Sequence, residues 1–158
     1  MTDVNWLTGD QLVRLIRKNA NLPTQVSFLG VFAVDTLPLY ISKLPVLLIV
    51  NSDTSNLPGQ HWRAIFIENT QHGEVFDSLA MPVSHLLEKW MNINTVKWTA
   101  STAIIQHSFF QSCGAFVVHY VLHRLSERNM EDYTKKHFSV NKERNEICIR
   151  NYIHGLKK

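Results

Sequence analysis

The stretch from Cys113 to about Arg128 sets the strongest condition on the fold. Phe116, Val117, Tyr120, Val121 and Leu125 recur at helical spacing and form a broad apolar face that must be buried against other elements. The upstream sequence supplies those elements as strands. Phe28 to Val34 is apolar around Gly30 and runs into the turn-like Asp35-Thr36-Leu37-Pro38, and Pro45 to Val50 reads as a buried strand. His61 to Ile67 alternates only imperfectly, which favours a strand covered on both faces. Glu74 to Leu79 follows the turn Gln71-His72-Gly73 at hairpin spacing, and Val96 to Gln106, rich in Trp, Thr and Ile, is expected to be the last strand.

Helices flank this region. Thr8 and Gln11 can form a capping box, with Leu7 and Leu12 at staple positions and Leu12, Leu15 and Ile16 as the apolar stripe. Pro82 to Met91, Met130 to His137 and Asn141 to His154 are further helical stretches. The order helix, strands, helix, strand, helices predicts an α+β fold. Its mixed, mainly antiparallel central sheet packs against a central helix carrying the candidate nucleophile at its N-terminus.

At 158 residues, 45% of them apolar, residues 1–158 suit one domain whose core needs no metal or disulfide support. The two cysteines, Cys113 and Cys148, are expected to be reduced thiols in an intracellular or intravirion setting. The first residues lack a secretory pattern, and the longest apolar run, Leu44 to Val50, is interrupted by Pro45 and far too short to span a bilayer. A soluble monomer with no membrane partner is expected. The net charge of +3 is uneven: Arg124 to Lys158 carries nine Lys or Arg against five Asp or Glu. That basic third could touch DNA or an acidic partner, although its interspersed signs also suit a solvated helical face.

Thiol-based hydrolysis needs a thiolate, a base, a group that orients the base, and donors for an oxyanion. Cys113 stands where the loop Gln111-Ser112 enters the apolar helix, and the free N–H groups of a helix start favour a thiolate. Gly114 is read as leaving room for substrate backbone. His61 opens a predicted strand after Pro58-Gly59, and Asp77 lies sixteen residues on, in Val-Phe-Asp-Ser-Leu. Antiparallel pairing through Asn69 to Gly73 brings both to one end of the sheet, where the carboxylate can hold the imidazole tautomer. Gln106, seven residues before Cys113, can supply a side-chain oxyanion donor beside the Cys113 N–H; Gln111 competes for that role.

Pro58-Gly59-Gln60-His61-Trp62, Phe76-Asp77-Ser78-Leu79, and Gln106 through Cys113-Gly114-Ala115-Phe116 resemble the adenovirus maturation protease family (adenain) and the wider group holding the SUMO-specific proteases. Phe28-Leu29-Gly30-Val31-Phe32 and Leu48-Ile49-Val50-Asn51 extend the likeness, which covers Phe28 to Tyr120. The family order is His, Asp or Glu, Gln, Cys, here at spacings of sixteen, twenty-nine and seven residues. The resemblance implies a cysteine endopeptidase with His61, Asp77 and Cys113 as catalytic residues, and it selects Gln106 over Gln111 for the oxyanion hole. It also implies virion precursor proteins as substrates, stimulation by DNA or a peptide, and a virion or host-nuclear location for a viral enzyme; the sequence itself requires no cofactor. No cysteine precedes Cys113, so a disulfide-tethered activating peptide is not expected by that route.

Three rival readings remain. His119, His123 and Glu127 fall at i, i+4 and i+8 and would share one helix face as metal ligands. The fold could serve DNA or capsid binding with catalysis secondary. The same triad could instead remove a ubiquitin-like modifier. Trp62 is expected either to shield the histidine–carboxylate contact or simply to fill the core, and Cys148, within Ile147-Cys148-Ile149, is expected to be inert.

Overall fold

The computed structural model describes residues 6–56 and 61–158. Helix α1 (Gly9–Asn19) leads into strands β1 (Ser27–Ala33), β2 (Val46–Asn51), β3 (Trp62–Asn69) and β4 (His72–Phe76). Then come α2 (His85–Asn94), β5 (Trp98–Ala100), α3 (Cys113–His123), α4 (Met130–His137) and α5 (Lys142–Lys157). The strands lie side by side in chain order, antiparallel in the β2–β3–β4 centre and parallel at the β1–β2 and β4–β5 margins. This is the expected mixed sheet of an α+β fold.

Strand periodicity sorts the core into two layers. Leu47, Ile49, Ala64, Phe66 and Phe76 face α1, α3 and α5, while Val46, Leu48, Val50, Ile65, Ile67 and Val75 meet Leu87, Trp90 and Met91 of α2. Both faces are therefore covered, which accounts for the poor alternation of the 61–67 run. Helix α3 is buried from Cys113 through Val121. Thr8 and Gln11 close the capping box on α1, and Leu12, Leu15 and Ile16 are its buried residues. Gly30, at φ 127, lies where the β1–β2 register shifts, a backbone conformation that side-chain-bearing residues rarely adopt. No helix among the described residues is long and apolar enough to cross a membrane.

Three expectations need correction. The hairpin turns at Thr70-Gln71, so His72 and Gly73 already belong to β4. The last strand is three residues, not eleven; beyond Ala100 the chain leaves the sheet, and Ile105 and Gln106 donate instead to Ser78 O at 2.9 and 3.0 Å. Helix α3 ends at His123, and a short 3-10 turn, Arg124–Ser126, follows. Glu127 therefore leaves the helical face that the metal reading required.

That turn is pinned from the sheet. Glu74 on β4 accepts from Tyr120 and from Arg124 Nε through one oxygen, and from Arg124 Nη2 at 3.2 Å through the other. The guanidinium also donates to Glu127 O at 2.9 Å and lies 5.1 Å from the centroid of the Phe66 ring. Arg124 and Glu74 are both almost fully buried, so removing either leaves its partner charged and unpaired. Arg124→Ala is expected to lower folding stability by about 3–5 kcal/mol in urea unfolding. A loss below about 1 kcal/mol would show that the buried pair does not hold the end of α3.

Candidate active site

Asp77 collects the site. Where β4 ends, its carboxylate accepts from Leu79 N–H at 2.8 Å and Met81 N–H at 3.3 Å, so the chain turns back around it. Ala80, at φ 48, occupies the left-handed region inside that turn. An ionised carboxylate only accepts, so the short 2.6 Å contact is His61 Nε2–H donating to Asp77 Oδ1. The register that sets Ala64 against Phe76 brings these two residues to the same end of the β3–β4 pair. On Oδ2 the carboxylate accepts Arg63 Nε–H at 2.9 Å, while Arg63 Nη2 holds Pro82 O at 3.1 Å. Ser101 Oγ accepts the Asp77 backbone N–H at 2.9 Å.

With Nε2 committed to Asp77, Nδ1 is the His61 nitrogen left for a second partner, and Cys113 is near enough to raise the ring's pKa. Burial alone would discourage a charged imidazole. The hydrogen bond to Asp77 and its charge, together with the neighbouring Cys113, outweigh it, and the His61 pKa is raised to about 9. For Asp77, burial pushes upward, but the His61 hydrogen bond and charge, the Leu79 N–H and Arg63 hold its carboxyl below the ordinary value. The pair is built to keep an imidazolium against a carboxylate at neutral pH.

Cys113 is the first residue of α3 and is 2% exposed. Gln106 is equally buried, whereas Gln111 is exposed. Ser78 Oγ donates to Gln106 Oε1 at 2.6 Å, and Gln106 Nε2 donates one proton to Phe110 O at 2.7 Å. The second proton on Nε2 has no acceptor among the described residues. Those two bonds fix which end of the amide is the donor.

The structure thus pairs His61 with Asp77, buries Cys113 at the start of α3 and buries Gln106 in the loop before it. It gives other residues different work. An added Cβ on Gly114 would meet Leu7 Cβ at 3.1 Å, Leu12 Cδ2 at 3.4 Å and Trp62 Cδ1 at 3.4 Å. The glycine admits α1 and β3 against α3, rather than leaving room for substrate. Trp62 is buried and donates its indole N–H to Leu7 O at 2.9 Å, a core role. Pro58, Gly59 and Gln60 lie outside the described residues. Cys148 is exposed.

The residues of the metal reading are engaged elsewhere. His119 Nδ1 pairs with the Tyr133 hydroxyl at 2.7 Å, His123 Nε2 with the Tyr152 hydroxyl at 2.8 Å, and Glu127 with Lys136 Nζ at 2.7 Å. Burial, then the neighbouring His123 and His137, lower the His119 pKa to about 3. No group of three or more His, Cys, Asp or Glu among the described residues is arranged to hold a metal ion.

Sequence reasoning missed Arg63, Ser78 and Ser101. A charged residue inside the otherwise apolar 61–67 run was a usable signal for Arg63. Two serines near strand ends carried none.

No protein-family model matches the chain, and no curated protein matches it. Its structure is similar to that of the ASFV pS273R protease, with a TM-score of 0.59 and 16% identity over 84% of this chain. The match covers 60% of the ASFV protease, so this chain spans well under the full length of that enzyme. A selenomethionine structure of the same protease matches with a TM-score of 0.42 and 27% identity over 52% of this chain and 35% of that one. The central domain of an uncharacterized Legionella pneumophila protein matches with a TM-score of 0.50 and 11% identity, over 90% and 96% of the two chains. At 16% identity the likeness to the ASFV enzyme is one of fold. The chain has a protease-like α+β fold.

The raised His61 pKa has a definite sign for stability. A folded pKa of about 9 against an unfolded 6.5 makes the contribution complete below pH 6.5 and removes it as pH rises through about 9. The stability difference between wild type and His61→Gln should therefore shrink between about pH 6 and about pH 10 in urea titrations. An unchanged difference across that range would contradict the buried imidazolium.

Proposed function

We propose that the chain is a cysteine endopeptidase. The observation that carries this reading is the buried His61 ring, bonded to Asp77 at 2.6 Å through Nε2, with its pKa raised by Asp77 and by the neighbouring Cys113. The fold shared with the ASFV protease supports the same reaction class.

In the proposed cycle, Cys113 and His61 form a thiolate–imidazolium pair, and Asp77 keeps the ring in register. The sulfur attacks the scissile carbonyl carbon. The resulting oxyanion accepts from the Cys113 N–H and from the uncommitted Nε2–H of Gln106. His61 gives its proton to the leaving amine, and the C–N bond breaks to leave a thioester. Water, deprotonated by His61, then hydrolyses the thioester and regenerates Cys113. Ser78 acts earlier, by accepting and donating so that the Gln106 amide presents nitrogen rather than oxygen.

Protein substrates follow from that chemistry. The finer proposal is that they are precursor proteins of a viral or virus-like particle, cleaved during maturation inside the cell or particle. It rests on the adenain resemblance of the His61, Asp77, Gln106 and Cys113 segments and on the viral source of the structural neighbour. DNA or a peptide as activator, and a monomeric state, belong to the same proposal.

Turnover of a mixed peptide library, read by mass spectrometry, tests the reaction. Cys113→Ala and His61→Ala should each abolish the cleavages made by wild type, while circular dichroism shows the fold retained. Gln106→Ala should lower kcat by about 10²–10³, the usual cost of one lost oxyanion donor. Cleavage surviving in Cys113→Ala would refute the assignment.

A further inference from the structure

Gln106 and Cys113 sit at opposite ends of a loop, and one turn of α5 holds both ends. Asn145 Nδ2 donates to Ile105 O at 3.0 Å, while its other bonds, to and from Ser139 at 2.8 and 2.9 Å, lock the amide. Glu146 Oε1 accepts the His107 N–H at 2.9 Å and the Ser112 O–H at 2.8 Å. The carbonyl just before Gln106 and the N–H just after it are thus fixed from the same helix. The Glu146 oxygen also reaches the residue that precedes Cys113.

Two features set this apart from ordinary packing. Ser112 stands at the N-cap of α3, where its side chain would normally cap the helix, yet it makes no capping bond and turns to Glu146. Glu146 is itself 4% exposed and has no ion-pair partner among the described residues. A buried acid held only by neutral donors is a costly way to secure a loop. Oxyanion stabilisation, by contrast, repays rigid placement, because its donors act only within a narrow range of distance to the developing charge.

We infer that Asn145 and Glu146 are positioning residues for the oxyanion site, setting the spacing between the Gln106 amide and Cys113. This rests on the protease reading above. Each acts through the residues that flank Gln106 and Cys113: Ile105 and His107 by their backbone, Ser112 by its hydroxyl.

Two small reagents separate this role from simple stability. Iodoacetamide alkylates the Cys113 sulfur by direct displacement of iodide, with no oxyanion formed. With p-nitrophenyl acetate the sulfur bonds to the acetyl carbon through a tetrahedral oxyanion, the ester C–O bond breaks and p-nitrophenolate leaves. The ratio of acylation to alkylation rates at Cys113 therefore reports oxyanion stabilisation apart from thiolate reactivity. Glu146→Ala and Glu146→Asp should each lower that ratio about tenfold or more, part of the 10²–10³ that a whole donor is worth. Glu146→Gln keeps an acceptor oxygen in reach and should stay within roughly twofold of wild type. The Asp variant retains the carboxyl group and shortens the side chain by one methylene, so it decides the matter if the Ala variant does not fold. An unchanged ratio in Glu146→Asp, with both rates intact or falling in parallel, would overturn the inference while leaving the protease reading in place. If wild-type Cys113 takes up neither reagent faster than Cys148 does, the protease reading falls, and this inference with it.

Discussion

A single buried carboxylate organises the candidate active site of this molecule. Asp77 is 3% exposed, and an ionised acid at that depth is tolerable only when its lone pairs are filled. Its oxygens meet four donors: the His61 ring, the Arg63 guanidinium and the backbone N–H groups of Leu79 and Met81. The last two bend the chain sharply after β4. That bend places Ser78 where its carbonyl receives Ile105 and Gln106 and its hydroxyl holds the Gln106 side chain. One electrostatic requirement thus fixes both the proposed base, His61, and the proposed oxyanion donor, Gln106.

The remaining positioning comes from layered packing. The sheet is buried on both faces, which leaves β3 and β4 little freedom to shift register, since a one-residue slip would exchange their two core faces. Gly114 lets Leu7, Leu12 and Trp62 approach the first turn of α3, so the start of that helix is seated against α1 and β3. Its far end is tied to β4 through Glu74 and Arg124. Helix α5 closes the arrangement from the other side by holding the loop between Gln106 and Cys113.

Much of this was legible in the sequence because the signals were local or ordered. The capping box at Thr8, the helix start at Cys113 and the order His61, Asp77, Gln106, Cys113 are all readable from residue types and spacing. The contacts that refine the site are long-range. Glu146 lies 34 residues from Ser112, and Ser78 lies 28 from Gln106, separations over which periodicity says nothing. The extent of β5 was overstated for a related reason. Its Thr- and Ile-rich composition fits a strand, but the Ser78 carbonyl draws Ile105 and Gln106 away from the sheet. Gly114 was misassigned because a glycine beside a candidate nucleophile suggests access, whereas here it answers a packing need.

The central claim is that His61, held by Asp77, keeps Cys113 as an activated nucleophile. The most direct measurement is the rate of iodoacetamide alkylation at Cys113 at about pH 6, where an ordinary thiol is almost wholly protonated. Cys148, exposed on α5, serves as the internal control. Rapid labelling of Cys113 in wild type, slowed to the Cys148 rate in His61→Ala, is the expected result. Cys113 labelling no faster than Cys148 in wild type, with no change in the variant, would contradict the claim.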